Sequence, residues 1–208
     1  QLTPSFETEI QGSLNSYVQR LSDKHNDARL IIERSQSQAP LIMTSFRARG
    51  VSPLMGLYLA WIESEFVNLS APSKAGAIGM FQFLPQTGMR FGLTPDELLD
   101  VGKSADAAAQ YLAKSMKIFP EDKMKEVLAI LAYNRGEGNV KDELLQVNDS
   151  TEKACSVCSL SAQRTKLDQP PQKDSDYVAR FFAAAIFGEN PQAFGLSTPP
   201  VSSFGTGN

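Results

Sequence analysis

A helical stretch that is apolar on every side most constrains what this chain can fold into. After Ser52-Pro53, the residues from Leu54 to about Phe66 predict a helix without a polar face. Its apolar side chains are Leu54, Met55, Leu57, Tyr58, Leu59, Trp61 and Ile62. The run is shorter than the roughly 18 residues that a membrane-spanning helix needs. Other elements must therefore cover this helix, and we predict that it lies in the middle of a globular domain.

The rest of the chain carries the three- and four-residue spacing of amphipathic helices. Thr3-Pro4 predicts the start of the first helix, with Thr3 as its cap. Further helices are predicted at Asn26 to Arg34, Pro40 to Arg49, from Ser104 to about Phe119, Lys123 to Tyr133 and Asp174 to Phe187, with Gly50 and Gly188 as stops. Residues 67–90 are rich in Gly, Ala, Ser and Pro, which is typical of loops. We predict an all-α fold class, with at most a small irregular β element near residues 76–84.

Composition and charge exclude several classes of protein. The 208 residues carry a net charge of -3, and Lys and Arg are scattered, whereas a nucleic-acid binder would present a basic face. The two cysteines, Cys155 and Cys158, would need two further ligands to hold zinc, and the single histidine, His25, is far away in sequence. We therefore expect no metal and no cofactor. If the protein is exported, a local Cys155–Cys158 disulfide in a surface loop is predicted, and two free thiols are the alternative.

Glu63 lies where a carboxyl group is unfavourable, near the C-terminal end of the apolar helix and directly after Trp61-Ile62. Burial, aromatic neighbours and the negative end of a helix dipole all raise the pKa of such a group. A carboxyl that stays protonated near neutral pH can act as a general acid. The alternatives are that both Glu63 and Glu65 are exposed at a fraying helix end, or that Glu65 points inward.

Four motifs follow one another along the chain. They read Glu63-Ser64-Glu65-Phe66, then Ser73-Lys74-Ala75-Gly76-Ala77-Ile78-Gly79-Met80-Phe81-Gln82-Phe83-Leu84-Pro85-Gln86-Thr87-Gly88, then Ala132-Tyr133-Asn134-Arg135-Gly136-Glu137-Gly138-Asn139-Val140, then Asp176-Tyr177-Val178. In this order they resemble the soluble lytic transglycosylase domain of glycoside hydrolase family 23, a lysozyme-like domain. The run from Trp61 to Ser64 and the residues Arg90-Phe91-Gly92-Leu93 are most similar to the membrane-bound lytic murein transglycosylase D branch.

The resemblance implies an enzyme that cuts the glycan strands of peptidoglycan without water. Such enzymes break the β-1,4 bond between N-acetylmuramic acid and N-acetylglucosamine and leave a 1,6-anhydro ring. Glu63 is the implied catalytic residue, first as acid and then as base. Two residues further along a helix, Glu65 points about 200° away and cannot flank the same bond. We therefore expect Glu65 to be solvated.

The resemblance also implies the substrate-binding residues. Tyr177 would orient Glu63 or the acetamido group of the sugar, although a buried aromatic residue in a helix is an equally ordinary interpretation. Polar contacts to the sugars are expected from Ser73, Gln82, Tyr133 and Asn134, and apolar contacts from Met80. Phe66 and Phe81 would line the cleft as well. The structural alternatives are turn chemistry for Ser73 and Gln82, a helix C-cap for Asn134, and core packing for Met80, Phe66 and Phe81.

The chain divides into three predicted parts. Residues 1–39 are expected to form helices that pack on the catalytic domain, residues 40–195 that domain, and residues 196–208 a flexible tail. Residues 141–173 depart from the family pattern as a polar insertion with little helix. We expect a monomer in the bacterial periplasm or envelope that binds peptidoglycan and no nucleic acid. No signal sequence precedes Gln1, so a cytosolic protein stays possible, as does a truncated end with a lipid anchor upstream.

Two rival functions remain open. A hydrolytic muramidase, similar to goose-type lysozymes, would cut the same bond with a water molecule that further carboxylates position. Asp106 and Glu137 are the candidates for that role. The second rival is a glycan-binding protein without catalytic activity, which would have no use for a buried acid at position 63.

Overall fold

The computed structural model describes residues 2–147, 155–166 and 176–205, and this part of the chain is helical almost throughout. The all-α prediction is therefore confirmed. The α-helices are α1 (Pro4–Arg20), α2 (Arg29–Ala48), α3 (Pro53–Ser64), α4 (Pro85–Met89), α5 (Val101–Met116), α6 (Lys125–Arg135), α7 (Glu137–Val147), α8 (Ser156–Lys166) and α9 (Tyr177–Glu189). Short 3-10 helices lie at Asp96–Leu99, Pro191–Phe194 and Val201–Gly205.

Helix α3 lies at the centre of the domain, as its sequence predicts. Every residue from Met55 to Trp61 is buried, and α2, α5 and α9 pack around it. Trp61 is fully enclosed, with the rings of Tyr17, Tyr58, Phe66 and Phe187 about it. Because each buried aromatic side chain adds about 2 kcal/mol or more of favourable burial, this cluster fixes α3 firmly in place.

Helix α2 corrects the prediction of two separate helices at 26–34 and 40–49. It runs unbroken from Arg29 to Ala48 with Pro40 in its interior, and Ala28 rather than Asn26 precedes its first turn. A proline inside a helix costs roughly 3 kcal/mol, because one backbone hydrogen bond is lost. Burial along one face outweighs that cost, and this face comprises Ile31, Ile32, Ser35, Ala39, Ile42, Met43 and Phe46.

Two predicted helix ends also differ from the structure. Helix α5 begins at Val101, and the side chain of Asp100 caps it by accepting from the Lys103 amide at 2.9 Å. Ser104 is instead a buried residue within the helix. Gly188 does not stop α9 but lies within it, where a β-carbon would come within 2.8 Å of the Tyr58 ring. Glycine therefore serves close helix packing at this position.

The predicted polar insertion has more helix than its composition indicates. Residues 137–147 form α7 and residues 156–166 form α8, so the expectation of little helix is wrong for both segments. The other residues of the predicted insertion, 148–154 and 167–173, lie outside the described part. Cys155 and Cys158 form a disulfide at the start of α8, and both are buried rather than in a surface loop. Helix α8 packs against α1 and α7.

Residues 67–84 are irregular, as predicted, and contain the one β-bridge of the described residues. The prediction of a loop is wrong for Pro85–Met89, which form α4, and α3 ends at Ser64 rather than at Phe66. Ile78 and Phe83 exchange backbone hydrogen bonds of 2.9 and 3.1 Å across a tight turn. Gly79 has a φ of +78°, and a β-carbon there would lie 2.3 Å from the Leu98 carbonyl oxygen. The turn thus depends on glycine at position 79 for both its conformation and its contact with the neighbouring segment.

The C-terminal residues pack on the domain where a flexible tail was predicted. Residues 201–205 form a 3-10 helix against α2, and Val201 is fully buried. Glu189 at the end of α9 accepts hydrogen bonds from the hydroxyls of Tyr58 and Ser202, which ties this segment to α3. Within the described residues, no helix has the length and apolar character required to cross a membrane.

Candidate active site

Glu63 lies in the last turn of α3, where the chain leaves the core. The helix ends because Glu65 and Phe66 both have left-handed backbone conformations, with φ of 52° and 59°. This abrupt end leaves Glu63 half-buried at the edge of the core. The hydroxyl of Tyr177, the first residue of α9, donates a hydrogen bond to Glu63 Oε1.

Two tyrosines lie near this carboxylate, Tyr177 fully buried and Tyr133 half-buried. Burial, followed by the negative charge of Glu63, raises the pKa of Tyr177 well above its ordinary value, and the same two causes raise the pKa of Tyr133. Both phenols are therefore protonated at neutral pH. The Tyr177 hydroxyl can donate to Glu63 when the carboxylate is ionised and accept from it when it is protonated. It can thus serve both states of an acid–base catalyst.

The turn around the β-bridge supplies the opposite wall. Ser73 accepts from the Ala77 amide through its hydroxyl oxygen at 3.1 Å, which is turn chemistry. Gln82 adopts a left-handed conformation with φ of 47°, and its amide nitrogen donates to the Gly79 carbonyl at 2.8 Å. Tyr133 in α6 donates to the Phe81 carbonyl oxygen at 2.8 Å, which holds the turn against the helices.

A cavity of about 290 Å³ opens between this turn and the helices. We call it the Glu63 cavity, and its lining residues are Glu63, Ser73, Ala75, Ala77, Gln82, Phe83, Leu84, Thr87, Tyr111, Tyr133 and Asn134. Five residues singled out from the sequence thus meet here, from three separate motifs. Tyr177 is buried behind Glu63 and reaches the site through its hydroxyl.

Three of the predicted cleft residues belong to the core instead. Met80 and Phe81 are fully buried and Phe66 nearly so, and none of their side chains lines the Glu63 cavity. The prediction that Met80 supplies an apolar contact to the sugars is therefore wrong. The Met80 amide donates to the Asn68 side chain at 3.1 Å, so residue 80 positions the turn.

Asn134 is not the helix C-cap that the sequence allowed. Helix α6 continues to Arg135, and Gly136 with φ of 87° ends it. Asn139 then binds the Arg135 carbonyl oxygen through its side-chain amide at 2.7 Å. Asn134 is left exposed in the last turn of α6, with its side chain on the Glu63 cavity.

Sequence reasoning missed Tyr111, Thr87 and Leu84. Thr87 and Leu84 lie in a motif that was recognised, but only the turn into α4 directs them to the Glu63 cavity. Tyr111 stands in an alanine-rich helix, where its spacing indicates a core residue. Its hydroxyl donates to the Ala132 carbonyl at 2.9 Å, while its ring contacts Tyr133 and faces the cavity.

The other carboxylates considered from the sequence lie elsewhere. Asp106 pairs with Arg49 at 2.6 Å on an exposed surface, and Glu137 accepts from the Ser115 hydroxyl at 2.9 Å. Neither lines the Glu63 cavity. Glu65 is not solvated as expected, because Arg20 and Arg34 bind its carboxylate at 2.6 and 3.2 Å. Glu65 thus fastens α1 and α2 to the end of α3.

No group of three or more His, Cys, Asp or Glu side chains among the described residues could hold a metal ion. The polar surface of the site consists of a single carboxylate, three phenols and several amide or hydroxyl groups. The phenols are those of Tyr111, Tyr133 and Tyr177, and the other groups belong to Ser73, Gln82, Thr87 and Asn134. Such a set can bind a neutral, hydroxyl-rich ligand and can transfer one proton at a time.

The fold and the site can now be set beside known proteins, and a family model matches more than half of the chain. The transglycosylase SLT domain matches residues 41–156, so the chain is a member of that family. The family resemblance seen in the motifs is thereby confirmed.

Individual relatives agree with this assignment. Membrane-bound lytic murein transglycosylase D from Escherichia coli strain K12 is 30% identical over 151 residues, which is 71% of this chain and 30% of that protein. Peptidoglycan transglycosylase gp16 from Escherichia phage T7 is 38% identical over 104 residues, 48% of this chain and 8% of that one. The chain thus spans about a third or less of the length of these relatives.

A solved structure shares the fold. An inactive mutant of lytic transglycosylase Slt from Pseudomonas aeruginosa superposes with a TM-score of 0.53 at 22% sequence identity. The superposition covers 77% of this chain and 24% of that one. At this identity the likeness supports the architecture of the domain.

Proposed function

We propose that this chain is a peptidoglycan lytic transglycosylase. It cleaves the β-1,4 bond between N-acetylmuramic acid and N-acetylglucosamine and forms a 1,6-anhydro end on the muramic acid. The observation that carries the proposal is that Glu63 is the one carboxylate among the residues lining the Glu63 cavity, with the Tyr177 hydroxyl bonded to it. Membership of the SLT family and the similarity to two named transglycosylases support the reaction class.

The reaction needs one group that gives a proton and later removes one. Protonated Glu63 donates its proton to the glycosidic oxygen, and the bond from that oxygen to C1 of the muramic acid breaks. The acetamido oxygen of the same sugar stabilises the positive charge that develops at C1, which is the substrate-assisted exception to the two-carboxylate scheme. Ionised Glu63 then accepts the proton of the C6 hydroxyl as O6 bonds to C1. Glu63 ends protonated as it began, and water is not consumed.

The lining residues divide between binding and positioning. Tyr177 is a positioning residue, because its buried hydroxyl fixes the Glu63 carboxylate in both protonation states. Asn134 is exposed on the cavity and offers an amide to sugar hydroxyls or acetamido groups. Gln82 offers its side-chain oxygen, because its nitrogen is engaged by the Gly79 carbonyl. Tyr133 and Ser73 complete the wall, and the hydroxyl of each takes part in a hydrogen bond that holds the turn.

Hydrolysis of the same bond is the nearest rival, and the placement of the other carboxylates counts against it. A hydrolytic enzyme positions water with a second carboxylate across the bond, about 6.5–9.5 Å from the first in inverting glycosidases. Asp106 and Glu137 are both engaged by other side chains and lie off the Glu63 cavity. We therefore favour ring closure by the substrate's own hydroxyl.

The decisive experiment compares Glu63→Gln with wild type on purified peptidoglycan, with products identified by mass spectrometry. Wild type should release muropeptides with 1,6-anhydro ends, whereas reducing muramic ends would support hydrolysis. Glu63→Gln should lose at least about a thousandfold of the rate, because the essential proton donor is gone. It should still bind glycan strands. Glu65→Gln, on the far side of α3, is the matched control and should keep its rate.

A wild type without activity on purified wall would favour the glycan-binding alternative. We further propose that the protein acts in the bacterial periplasm or envelope, where its substrate lies. We also propose that it works as a monomer, since the Glu63 cavity is assembled from a single chain.

A further inference from the structure

One end of the Glu63 cavity carries a small charged cluster, Arg90, Lys114 and Glu137, which we call the basic rim. Each member follows a cavity-lining residue by three positions in sequence: Arg90 follows Thr87, Lys114 follows Tyr111 and Glu137 follows Asn134. The three converge, since Arg90 and Lys114 both approach the Glu137 carboxylate. Lys114 lies one turn of α5, roughly 5 Å, beyond the cavity-lining Tyr111. Glu137, the first residue of α7, brings Arg90 to the same place.

The charge of the rim also acts on the cavity itself. Burial raises the pKa of Tyr111 to about 12, and Glu137 contributes to the increase while Arg90 opposes it. Tyr111 lines the Glu63 cavity, so these charges lie near one wall of the cavity.

The two cations of the rim are only loosely paired. Lys114 Nζ lies 3.6 Å and Arg90 Nη2 lies 4.0 Å from Glu137 Oε2, and both side chains are more than half exposed. Charged hydrogen bonds are usually about 2.7–2.9 Å long, and the Arg135–Glu143 and Arg49–Asp106 pairs of this protein reach 2.7 and 2.6 Å. Glu137 is further shared with the Ser115 hydroxyl. One carboxylate thus leaves a formal excess of one positive charge, with N–H donors facing solvent.

We propose that the basic rim binds a carboxylate of the stem peptide carried by muramic acid, so that the enzyme prefers peptide-bearing over naked glycan strands. This inference rests on the proposed function. In a peptide-bearing strand the lactyl carboxyl of muramic acid is held in the amide bond to the peptide, so the sugars are uncharged and a cationic rim has no counterpart in them. A peptide of four or five residues reaches roughly 13–18 Å when extended. It therefore spans the single helical turn between a sugar in the Glu63 cavity and the rim.

The test separates binding from catalysis. Calorimetry with the Glu63→Gln protein measures the dissociation constants of two muropeptide oligomers, one with its stem peptides and one from which an amidase has removed them. The lactyl carboxyls that the amidase frees are capped as methylamides, so that the naked oligomer is uncharged. We expect tighter binding of the peptide-bearing oligomer, and a loss of about tenfold when Arg90→Ala and Lys114→Ala are added, as expected for two exposed charged hydrogen bonds. Binding of the naked oligomer should change less than about twofold.

The matched control is the pair Arg47→Ala and Lys117→Ala. This control also removes one arginine and one lysine charge but leaves the rim intact. Lys117 lies one turn from Lys114 at the end of α5. The control should retain the preference for peptide-bearing strands, and high salt should abolish that preference in the parent. Equal losses on both oligomers, or no loss from the rim variants, would overturn the proposal. Absence of anhydro products would refute the proposed reaction. Calorimetry needs no turnover, so the ratio of the two dissociation constants would still decide the role of the rim.

Discussion

Removal of one oxygen atom tests how the site controls its catalytic proton. In Tyr177→Phe, the hydroxyl that donates to Glu63 Oε1 is lost while the ring, fully buried in α9, keeps its packing. A hydrogen bond to a charged group contributes about 1.5–3 kcal/mol. Since about 1.4 kcal/mol corresponds to a tenfold change in rate, we expect kcat to fall by roughly 10- to 150-fold. KM should change little, because the hydroxyl contacts the carboxylate and not the sugar.

The assay is the initial rate of anhydro-muropeptide release over a range of substrate concentrations, with the thermal unfolding midpoint as a check of folding. Tyr133→Phe is the matched control, because it also loses a buried phenol oxygen near Glu63, but one that donates to the Phe81 carbonyl. That variant should lose thermal stability by about 1 kcal/mol and lose less of kcat. A Tyr177→Phe enzyme with kcat within twofold of wild type would refute the positioning role.

Two further predictions concern the supports of the site. Gly79→Ala should reduce both folding stability and activity, because the new β-carbon meets the Leu98 carbonyl at 2.3 Å. Gly76 also has a positive φ, but open space surrounds it. Circular dichroism melts should therefore show a loss of folding stability of about 1 kcal/mol for Gly76→Ala and a larger loss for Gly79→Ala. Equal losses would rule out the contact with Leu98. Glu65→Ala should lower the free energy of unfolding by about 1–2 kcal/mol, because it strips Arg20 of its partner. Its rate per folded molecule should match wild type, and a thousandfold drop in kcat would show that Glu65 is catalytic.

Helix α3 and the turn behind Glu63 show how much the sequence could predict of the fold and site. The apolar run from Leu54 to Ile62 required a buried central helix, and its end placed Glu63 at the edge of the core. Motifs separated by up to 71 positions, from Glu63 to Asn134, were correctly grouped, and their residues line one cavity. The resemblance to a known family supplied this grouping, since spacing along the chain carries no information about distance in space.

The errors have a common physical cause. Pro40 lies inside a helix, and residues 137–147 and 156–166 are helical despite their polar composition, because packing against neighbours outweighs local preference. Met80 was assigned to the cleft from its motif, although the turn directs it into the core. Glu65 was expected in solvent, but Arg20 and Arg34 arrive from helices far earlier in the chain. Each of these errors concerns a partner that is distant in sequence, whereas the misplaced start of α5 is a local one, since Asp100 caps an amide only three residues away.

By itself, the sequence determined that this protein is helical, that α3 is its core and that Glu63 is the acid to test. The first two follow from periodicity and hydrophobicity, which act over a few residues, whereas Glu63 was chosen from its place at the end of the apolar helix together with the family resemblance. Only the tertiary structure decided that Tyr177 bonds to Glu63, that Tyr111 and Thr87 join the cavity, and that Arg90 and Lys114 converge beside it. The physical reason is that hydrogen bonds and charge pairs depend on the positions of side chains in space, and the packing of helices around α3 sets those positions.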